Sequence, residues 1–421
     1  MTASNTLQRA TGRTYGESGL CACPQCDQLH QLPALKVPGR ASCQRCGATL
    51  FRHANHALDR VLALNISAFV LLLIANNYPL LSLKAGGRTE QASLLGSAWS
   101  MFEAGQWELA LLVVLTSMVF PMLTALAWIY MLLPLRFGLH PPGLSQVYRW
   151  AGHLAPWSLI GVFMLGVLIA IFKLLDLASV VPGIALFALA GLLVCAAAAR
   201  VLQSPSLIWP LLGPEFELQH THAHALQHGF HTCHHCQLLV PDDLAACPRC
   251  HNHLHPRKPN SIKRTIALLL SAAILFIPAN VYPVMTVMRF GSGEPSTILG
   301  GVVELIDAGM LPLALLVLFA SIVVPAMKLA IFTFLLISIR RRSSWRPLDR
   351  TRLYRLVEVV GAWSMVDVYL VAILAAVVQL DFLATIQPAI GATFFAAVVV
   401  LTMFAAHSFD PRLIWDNNGR N

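Results

Sequence analysis

The sequence predicts a mainly α-helical, polytopic membrane protein built as a tandem repeat. Of its 421 residues, 57% are hydrophobic and only 12% are charged, whereas a typical globular chain is about 25% charged. The apolar residues form runs of about 20, enough for a helix to cross a hydrocarbon core of about 30 Å. Motifs also recur: the Tyr-Pro at Tyr78 returns at Tyr282, 204 positions later, and the Trp-Ser at Trp157 returns at Trp363, 206 positions later.

The apolar runs predict eight transmembrane spans, four in each copy. Four is an even number, so both copies start on the same side of the membrane. This arrangement is typical of a parallel repeat, in which an axis along the membrane normal relates the two copies. The predicted spans are 59–82, 107–133, 154–175, 183–203, 262–287, 311–339, 363–380 and 384–407.

Each membrane block follows a cysteine-rich segment, so the repeat unit is a cysteine ribbon followed by four spans. We expect four parts along the chain. They are an N-terminal zinc ribbon (1–57), a first four-span block (58–210), a histidine-rich linker with a second zinc ribbon (211–260), and a second four-span block with a short tail (261–421).

The net charge of +9 follows the predicted membrane topology. Arginines cluster between spans six and seven, whereas the loops after spans three and seven hold little beyond Asp176 and Asp381. Positive residues mark the cytoplasmic side, which places both termini and both ribbons inside. The charge therefore requires no nucleic-acid partner. The arginines are Arg340, Arg341, Arg342, Arg346, Arg350, Arg352 and Arg355.

Four Cys-x-x-Cys pairs precede the membrane blocks, two before each. Two intervening residues let both thiolates of a tight turn face one ion, and two such turns complete a tetrahedral site of four sulfurs. Such a site has no open position for water, so its role is structural, and the metal would fold a segment too small to bury a core. The predicted ligands are Cys23, Cys26, Cys43, Cys46, Cys233, Cys236, Cys247 and Cys250.

The favoured ligand is zinc, with one ion in each ribbon. Iron in a rubredoxin-like site uses the same four thiolates, so spacing leaves it open. Disulfides are disfavoured in a reducing compartment, and a redox-active pair would need a βαβ frame that is not visible. Cys21 is interpreted as a spare or alternate ligand. The histidine-rich tract from His220 to His255 is either a second metal-binding tract or a weakly cationic linker, and we favour the linker.

Ionisable side chains inside a membrane cost about 2.5–3.5 kcal/mol on insertion scales, so each one suggests a function. Lys328 lies near the middle of span six, after Pro325, and Asp367 lies one turn inside span seven. Ser321 shares a helix face with Lys328, and Ser364 shares one with Asp367. We expect these four side chains to form a polar network for transport. The alternative is a buried ion pair that only fixes helix packing.

The first copy does not repeat this network, since Thr124 and Gly161 stand at the positions of the lysine and the aspartate. A packing device inherited by duplication would be expected twice, so the one-sided placement favours function. Lys173 and Asp176, three residues apart near the outer end of span three, are secondary candidates.

Two Cys-x-x-Cys ribbons, each ahead of four spans with an Asn-x-Tyr-Pro signature, together resemble the paraquat-inducible protein A family. The resemblance covers nearly the whole chain and includes the CPxCD stretch from Cys23 to Asp27. It implies a location in the inner membrane of Gram-negative bacteria. It also implies a periplasmic MCE-domain partner that forms a tunnel towards the outer membrane, and membrane blocks that load or unload lipid for that tunnel.

Three functions are compatible with these features. The first is an inner-membrane subunit of an envelope lipid-transport system, with phospholipid as cargo. The second is a membrane electron-transfer protein with rubredoxin-like iron sites, and the third is a structural anchor for the tunnel. The chain has no GxxxxGK[ST] motif, so ATP hydrolysis is not expected, and the predicted role is not enzymatic.

Overall fold

In a computed structural model, the helices form a bundle with two ends of different character. Cysteine-bearing hairpins lie at one end, which we call the ribbon side, and two three-stranded sheets lie at the other, the sheet side. The structure describes residues 20–31, 39–53, 56–85, 88–139, 141–174, 179–203, 229–289, 292–377 and 385–416.

The described residues contain eight helices that are long and apolar enough to cross a membrane. The predicted number is confirmed, and the chain is a multi-pass membrane protein. In each copy the first and fourth spans have 19 or 21 residues and the middle two have 29 or 30. The spans are Ala57–Asn77, Trp107–Arg136, Leu144–Phe172, Ile184–Leu202, Ser261–Val281, Leu311–Arg340, Pro347–Ala376 and Ile390–Ser408.

Several spans are interrupted, so the helices outnumber the spans. The first copy contains α1 (Ala57–Asn77), α2 (Leu94–Glu103), α3 (Trp107–Val114), α4 (Phe120–Arg136), α5 (Leu144–Leu154), α6 (Ile160–Leu174) and α7 (Ile184–Leu202). The second copy contains α8 (Ser261–Val281), α9 (Ile298–Asp307), α10 (Leu311–Leu318), α11 (Val324–Arg340), α12 (Pro347–Val360), α13 (Val366–Val377) and α14 (Ile390–Ser408).

The second span of each copy contains a π-helical turn at the same relative position, Leu115–Val119 in one and Phe319–Val323 in the other. Each turn lies just before a proline, Pro121 or Pro325. Proline has no N–H and its ring clashes with the carbonyl four residues back, so a regular α-helical ladder cannot pass through it. A single π turn accommodates the break. The sequence predicts the interruption from the proline but not its π geometry.

The third span of each copy is broken by a 3₁₀ segment, Ala155–Trp157 or Gly361–Met365. Span seven was predicted to begin at residue 363, with the arginine-rich stretch before it as a loop. That boundary is wrong, because α12 and α13 join through the 3₁₀ segment into one long span. A span predicted from hydropathy ends where charged residues begin. Helix α12 forms despite its arginines because it buries one face against protein rather than lipid.

The long middle spans extend past the short ones on the ribbon side. A span of 30 residues is about 45 Å long at about 1.5 Å per residue, more than a bilayer core requires. The rings of Phe332 in α11 and Tyr354 in α12 lie 5.8 and 5.4 Å from that of Phe409, just past the end of α14. Beyond that level α11 continues to Arg340. We call the protruding α4–α5 and α11–α12 pairs the ribbon-side hairpins.

Strands cap both ends of the bundle. On the sheet side, each copy pairs an antiparallel hairpin with a third strand, in the orders β6-β5-β7 and β11-β10-β12. These sheets were not predicted, because their strands are short and mix polar with apolar residues. The ribbon-side strands are β1 (Leu20–Ala22), β2 (Leu29–Gln31), β3 (Gly39–Ser42), β4 (Thr49–His53), β8 (Phe230–Thr232) and β9 (Leu239–Pro241). The sheet-side strands are β5 (Leu81–Ala85), β6 (Arg88–Ala92), β7 (Ser179–Pro182), β10 (Met285–Arg289), β11 (Ser292–Ser296) and β12 (Thr385–Pro388).

The two copies meet at α6 and α13, the inner halves of spans three and seven. Phe163 and Tyr369 occupy equivalent positions, and their rings pack edge to face with centroids 5.2 Å apart. The helices cross closely at Gly166, where an added Cβ would lie 3.0 Å from Cβ of Tyr369. Both helices run from the ribbon side to the sheet side. Equivalent residues therefore meet across an axis along the span direction, as in a parallel repeat.

This pseudo-symmetry breaks down next to the axis. Helix α13 packs along α2 and contacts β6 of the first copy. In the described part of the chain, α6 makes no comparable contact with α9 or β11, the equivalent elements of the second copy. A gap therefore remains on one side of the axis only.

Candidate functional site

Four cysteine sulfurs converge in each ribbon. The sulfurs of a group all lie within 4.8 Å of one another, and Sγ of Cys23, for example, lies 3.5 Å from Sγ of Cys46. A tetrahedral ion with metal–sulfur bonds of about 2.3 Å separates its ligands by about 3.8 Å, so both groups fit a metal ion. The groups are the predicted ones, Cys23, Cys26, Cys43 and Cys46, and Cys233, Cys236, Cys247 and Cys250.

Every Cys-x-x-Cys turn closes in the same way. The residue after the second cysteine has a left-handed backbone, with φ of 61° at Asp27, 73° at Gly47, 59° at Gln237 and 55° at His251. Its N–H donates to the carbonyl of the first cysteine, at 2.9 Å for Asp27 and 2.8 Å for His251. Only one of the four is glycine, the residue that adopts this conformation without strain. Asp27, Gln237 and His251 adopt it as well, so the turn forms without glycine.

The other candidate ligands lie outside these groups. Cys21 belongs to neither, and burial raises the pKa of its thiol to about 12, which disfavours the thiolate that a metal requires. His30 contributes indirectly, since its Nε2 lies 3.1 Å from Sγ of Cys43. No described histidine joins either group of four sulfurs. Of the histidine-rich tract from His220 to His255, residues 229–255 are described, and residues 220–228 lie outside the described residues.

The first ribbon docks chiefly on the second membrane block, although Arg52 also donates to the Val201 carbonyl of its own block at 3.0 Å. Arg355 of α12 donates to Oε1 of Gln25 at 2.6 Å and to the Cys46 carbonyl at 2.8 Å. Asp27 forms an ion pair with Arg257 at 3.0 Å. The first cysteine group also packs in one hydrophobic cluster with side chains of α11, α12 and the C-terminal segment.

The second ribbon docks reciprocally on the first block. Arg149 of α5, the counterpart of Arg355, donates to Oδ1 of Asn252 at 3.2 Å. The rings of His153 and His235 lie 5.3 Å apart, and Tyr148 packs against the second cysteine cluster. Each ribbon is thus held by the ribbon-side hairpin of the other copy. Sequence spacing gave no indication of this exchange.

Inside the bundle, Lys328 donates hydrogen bonds to the residues at the break in span seven. The side chain is 1% exposed and donates to the Gly361 carbonyl at 2.5 Å and to the Ser364 hydroxyl at 3.1 Å. Gly361 begins the 3₁₀ segment, where the change in helix type leaves carbonyls in need of donors. Lys328 lies one helical turn before Phe332, which marks the level where the short spans end. It is therefore closer to the ribbon-side surface than its central place in span six suggests.

In the first copy, an arginine from another helix donates hydrogen bonds to the equivalent break. Arg200 donates to the carbonyls of Ala155 at 2.8 Å and of Ser158 at 2.9 Å, and these residues are the counterparts of Gly361 and Ser364. Arg200 lies in the last turn of α7, so its guanidinium reaches the break from the membrane surface. We did not select Arg200 from the sequence, although a single arginine near the end of an apolar span is the signal that identifies it.

Asp367 lies deeper, on the floor of an apolar cavity. The residue is 7% exposed, and its Oδ2 has no hydrogen-bond partner among the described groups. Ser321, in the π turn of span six, interacts with the carboxylate and lines the same cavity. The space open to water-sized molecules is about 60 Å³ and extends from β10 and β11 down to Asp367. It occupies the gap beside α6, with Ile169 and Gly301 among its walls.

The four residues of the predicted polar network therefore form two neighbouring pairs. Lys328 contacts Ser364 near the ribbon side, and Asp367 contacts Ser321 at mid-membrane. Among the described residues, Lys328 and Asp367 do not form an ion pair with each other. The Lys173 side chain and Asp176 lie outside the described residues.

The chain contains a duplicated four-span block, and each copy has a four-cysteine ribbon and a π turn before a proline. These features define a class of membrane protein with an internal tandem repeat and ribbons of the metal-binding type. The chain matches the profile of the family described as paraquat-inducible protein A over residues 58–212 and again over 262–418. It therefore belongs to that family.

Curated relatives cover almost the whole chain. It is 34% identical to the "Intermembrane transport protein PqiA" of Escherichia coli K12, over 94% of this chain and 95% of that protein. It is 27% identical to the "Lipophilic envelope-spanning tunnel protein A" of the same strain, over 97% and 94%. A "Probable intermembrane transport protein" of Haemophilus influenzae is also 27% identical, over 93% and 95%. No solved structure gives a significant match.

Proposed function

We propose that this protein is an inner-membrane subunit of an envelope lipid-transport system, which loads or unloads phospholipid for a periplasmic MCE-domain tunnel. The observation that carries the proposal is the cavity above Asp367. Its walls are mostly apolar side chains of the second copy, with Ile169 of the first on one side, and it ends at a carboxylate oxygen without a described partner. The names of the relatives, which include intermembrane transport and an envelope-spanning tunnel, support the same role.

The chemistry of the cavity suits part of a lipid. Hydrocarbon fits the apolar walls without leaving polar groups unsatisfied. An unpartnered carboxylate in an apolar site is expensive unless it gains a proton, a cation or a hydrogen-bond donor. Asp367 and Ser321 therefore supply a polar end to an apolar space, and polar groups inside membrane helices typically mark a transport path. The proposed role involves no covalent chemistry.

The test is lipid transfer by purified protein reconstituted in liposomes, read with a fluorescent phospholipid and acceptor vesicles that carry the partner. We expect Asp367→Asn, and Gly301→Leu, which fills the cavity, to lower the transfer rate at least tenfold. The matched control is Ser117→Ala. Ser117 is the counterpart of Ser321 and makes the same 2.6 Å bond to the carbonyl four residues back. Wild-type transfer by both cavity variants would refute this proposal and favour a structural anchor.

Sidedness and partner are part of the proposal. The arginine-rich ribbon-side hairpin supports a cytoplasmic ribbon side, and the small sheets would then face the periplasm and the partner. Labelling of single cysteines in intact cells tests the orientation, with Cys replacing Thr89 on the sheet side and Arg341 on the ribbon side. Co-purification of proteins and lipids from native membranes tests the partner. An MCE-domain protein and phospholipid are the expected products.

We further propose that each ribbon binds one structural zinc ion. The closed four-sulfur geometry supports a structural metal, and iron would use the same ligands. Elemental analysis of purified protein distinguishes the two. Two equivalents of zinc in a colourless sample are expected, whereas two equivalents of iron with visible absorption would favour electron transfer.

A further inference from the structure

A second cavity, which we call the junction cavity, lies where both ribbons meet the second membrane block. Its volume is about 240 Å³, the share of about eight water molecules at about 30 Å³ each. The first ribbon contributes Pro24 and Gln25 to its wall, and the second ribbon contributes Thr232, Cys233, His234 and Gln237. The rest of the wall is formed by Lys258, just before the second block, and by Tyr354, Glu358, Asp410, Pro411 and Arg412 of that block. Only one of the ribbon cysteines, Cys233, lines it, so the cavity is not a metal site.

The cavity lies at the ribbon-side membrane surface. Lys258, just before α8, donates from Nζ to the carbonyls of His407 at 2.7 Å and Phe409 at 3.1 Å, where α14 ends. Tyr354, which packs on Phe409, is also part of the wall. This is the level at which the short spans leave the membrane. A bilayer spanned by the short helices would have the headgroups of its ribbon-side leaflet near this level.

Two opposite charges in the wall form no close ion pair. Arg412 is compensated by Asp410 at 3.2 Å and by Asp27 at 3.8 Å. Within the part of the chain that the structure describes, neither Lys258 nor Glu358 takes part in an ion pair. The wall therefore presents one cation and one anion that attract each other without forming a close ion pair.

A buried hydroxyl adds a further polar contact. Thr232 is 4% exposed, lines the cavity, and its Oγ1 has no hydrogen-bond partner among the described residues. Leaving a buried hydroxyl unpaired is unfavourable. A ligand with an oxygen at this place would remove that cost.

The first copy lacks these charges. All four charged residues of the wall belong to the second copy, and small uncharged residues stand at the equivalent positions of the first. The pairs are Lys258 with Ala54, Glu358 with Gly152, Asp410 with Ser204 and Arg412 with Ser206. Docking of a ribbon does not require them, because the second ribbon docks on the first block without them.

We propose that the junction cavity binds a zwitterionic phosphoamine, with its phosphate at Lys258 and Thr232 and its ammonium at Glu358. A ligand with one negative and one positive group can form a close ion pair with each of Lys258 and Glu358, whereas an ion of a single sign can pair with only one of them. The volume accommodates a headgroup but not acyl chains. The group belongs either to an aminophospholipid of the ribbon-side leaflet or to a soluble phosphoamine. Only the lipid source rests on the proposed transport function.

The test uses the full-length protein in nanodiscs of phosphatidylglycerol, with calorimetric titration of glycerophosphoethanolamine. We expect this probe to bind at least tenfold more tightly than glycerol 3-phosphate or ethanolamine. Glu358→Gln and Lys258→Ala should each weaken it at least tenfold. The matched controls are Asp349→Asn, half-buried in the same helix, and Lys263→Ala, exposed in α8, both outside the cavity. Lys258 also donates to two carbonyls, so Glu358→Gln is the decisive variant, because it breaks no described hydrogen bond or close ion pair.

The lipid source is tested by native mass spectrometry after exchange into nanodiscs containing phosphatidylethanolamine. Retention of that lipid by the wild type, with loss in Glu358→Gln, assigns the site to lipid. Binding of the soluble probe without lipid retention assigns it to a soluble phosphoamine. Equal binding of the probe and its two fragments, or wild-type affinity in Glu358→Gln, would overturn the inference. Probe binding that persists when Asp367→Asn abolishes transfer, or when no transfer is seen at all, separates this site from the transport proposal.

Discussion

The two membrane blocks share a backbone plan but place their charges differently. Both have a π turn before a proline and a 3₁₀ break in the third span. In the first copy Arg200 reaches the break from the membrane surface, and in the second Lys328 reaches it from inside the bundle. Only the second copy adds Asp367 and the charges of the junction cavity.

The difference shows that packing, not backbone geometry, makes the two halves unequal. Helix α13 fills the space beside the first copy, and the Tyr369 hydroxyl donates to Oγ1 of Thr116 at 2.6 Å. The counterpart pair is Phe163 and Ala320, which cannot form this bond. Among the described residues, α6 makes no comparable contact with α9. The cavity above Asp367 lies on that side of the axis. One scaffold can thus hold the halves together on one side of the axis and keep an opening on the other.

The largest expected effect concerns the exchanged ribbons. Replacing Cys23 and Cys26 by Ser should remove one of two metal equivalents, since structural sites of this type bind with about 10–16 kcal/mol. The newly exposed region should be the α11–α12 hairpin of the second copy, because Arg355 holds the first ribbon there. Metal analysis and mapped limited proteolysis measure both effects. Cys21→Ser is the control and should retain two equivalents. Cleavage confined to the α4–α5 hairpin would contradict the exchange.

Next in size is the contrast between the two cations at the breaks. Lys328→Met should lower the free energy of unfolding by about 2–4 kcal/mol, because it leaves a buried carbonyl and hydroxyl without a donor. Arg200→Met should cost about 1 kcal/mol or less, since water can reach the surface end of that break. Thermal unfolding in one detergent compares them. Equal losses would mean that both breaks are equally accessible to water.

The crossing of α6 and α13 provides a smaller effect. Gly166→Val should destabilise the protein by about 1–3 kcal/mol, because its side chain meets Cβ of Tyr369 at the contact between copies. Gly161→Val is the control, since its nearest neighbour is the flexible end of Leu193 at 3.2 Å. A larger loss of stability for Gly161→Val than for Gly166→Val in the same unfolding assay would contradict a close crossing at Gly166.

The smallest expected effect tests the bond across the axis. Tyr369→Phe makes the position identical to its counterpart Phe163 and should cost about 0.5–1.5 kcal/mol through loss of one hydrogen bond. A double-mutant cycle with Thr116→Val isolates the contact. A coupling energy near zero would show that the two hydroxyls act independently.

The sequence predicted what depends on local spacing or on length. Two residues between cysteines dictate a tight turn, so both metal-type groups were correctly predicted, and apolar runs of about 20 residues specified the number of spans. Lys328 and Asp367 attracted notice because charges are rare in hydrocarbon. Their pairing with Ser364 and Ser321 rather than with each other depends on helix depth and rotation. The cavity depends on which of two equivalent helix contacts forms, that of α13 with α2 or that of α6 with α9. The hydrophobic periodicity of the sequence does not indicate which.

The exchange of ribbons also orders events during synthesis. When the second ribbon emerges from the ribosome, Arg149 and its hairpin already exist. The first ribbon must wait for Arg355, which follows its partner Gln25 by 330 residues. At about 5–20 residues per second, that wait is roughly 17–66 s. A ribbon closed by its own metal stays folded through this interval without help from a membrane block. Its docking is then the last step, and it ties the beginning of the chain to the half that is made last.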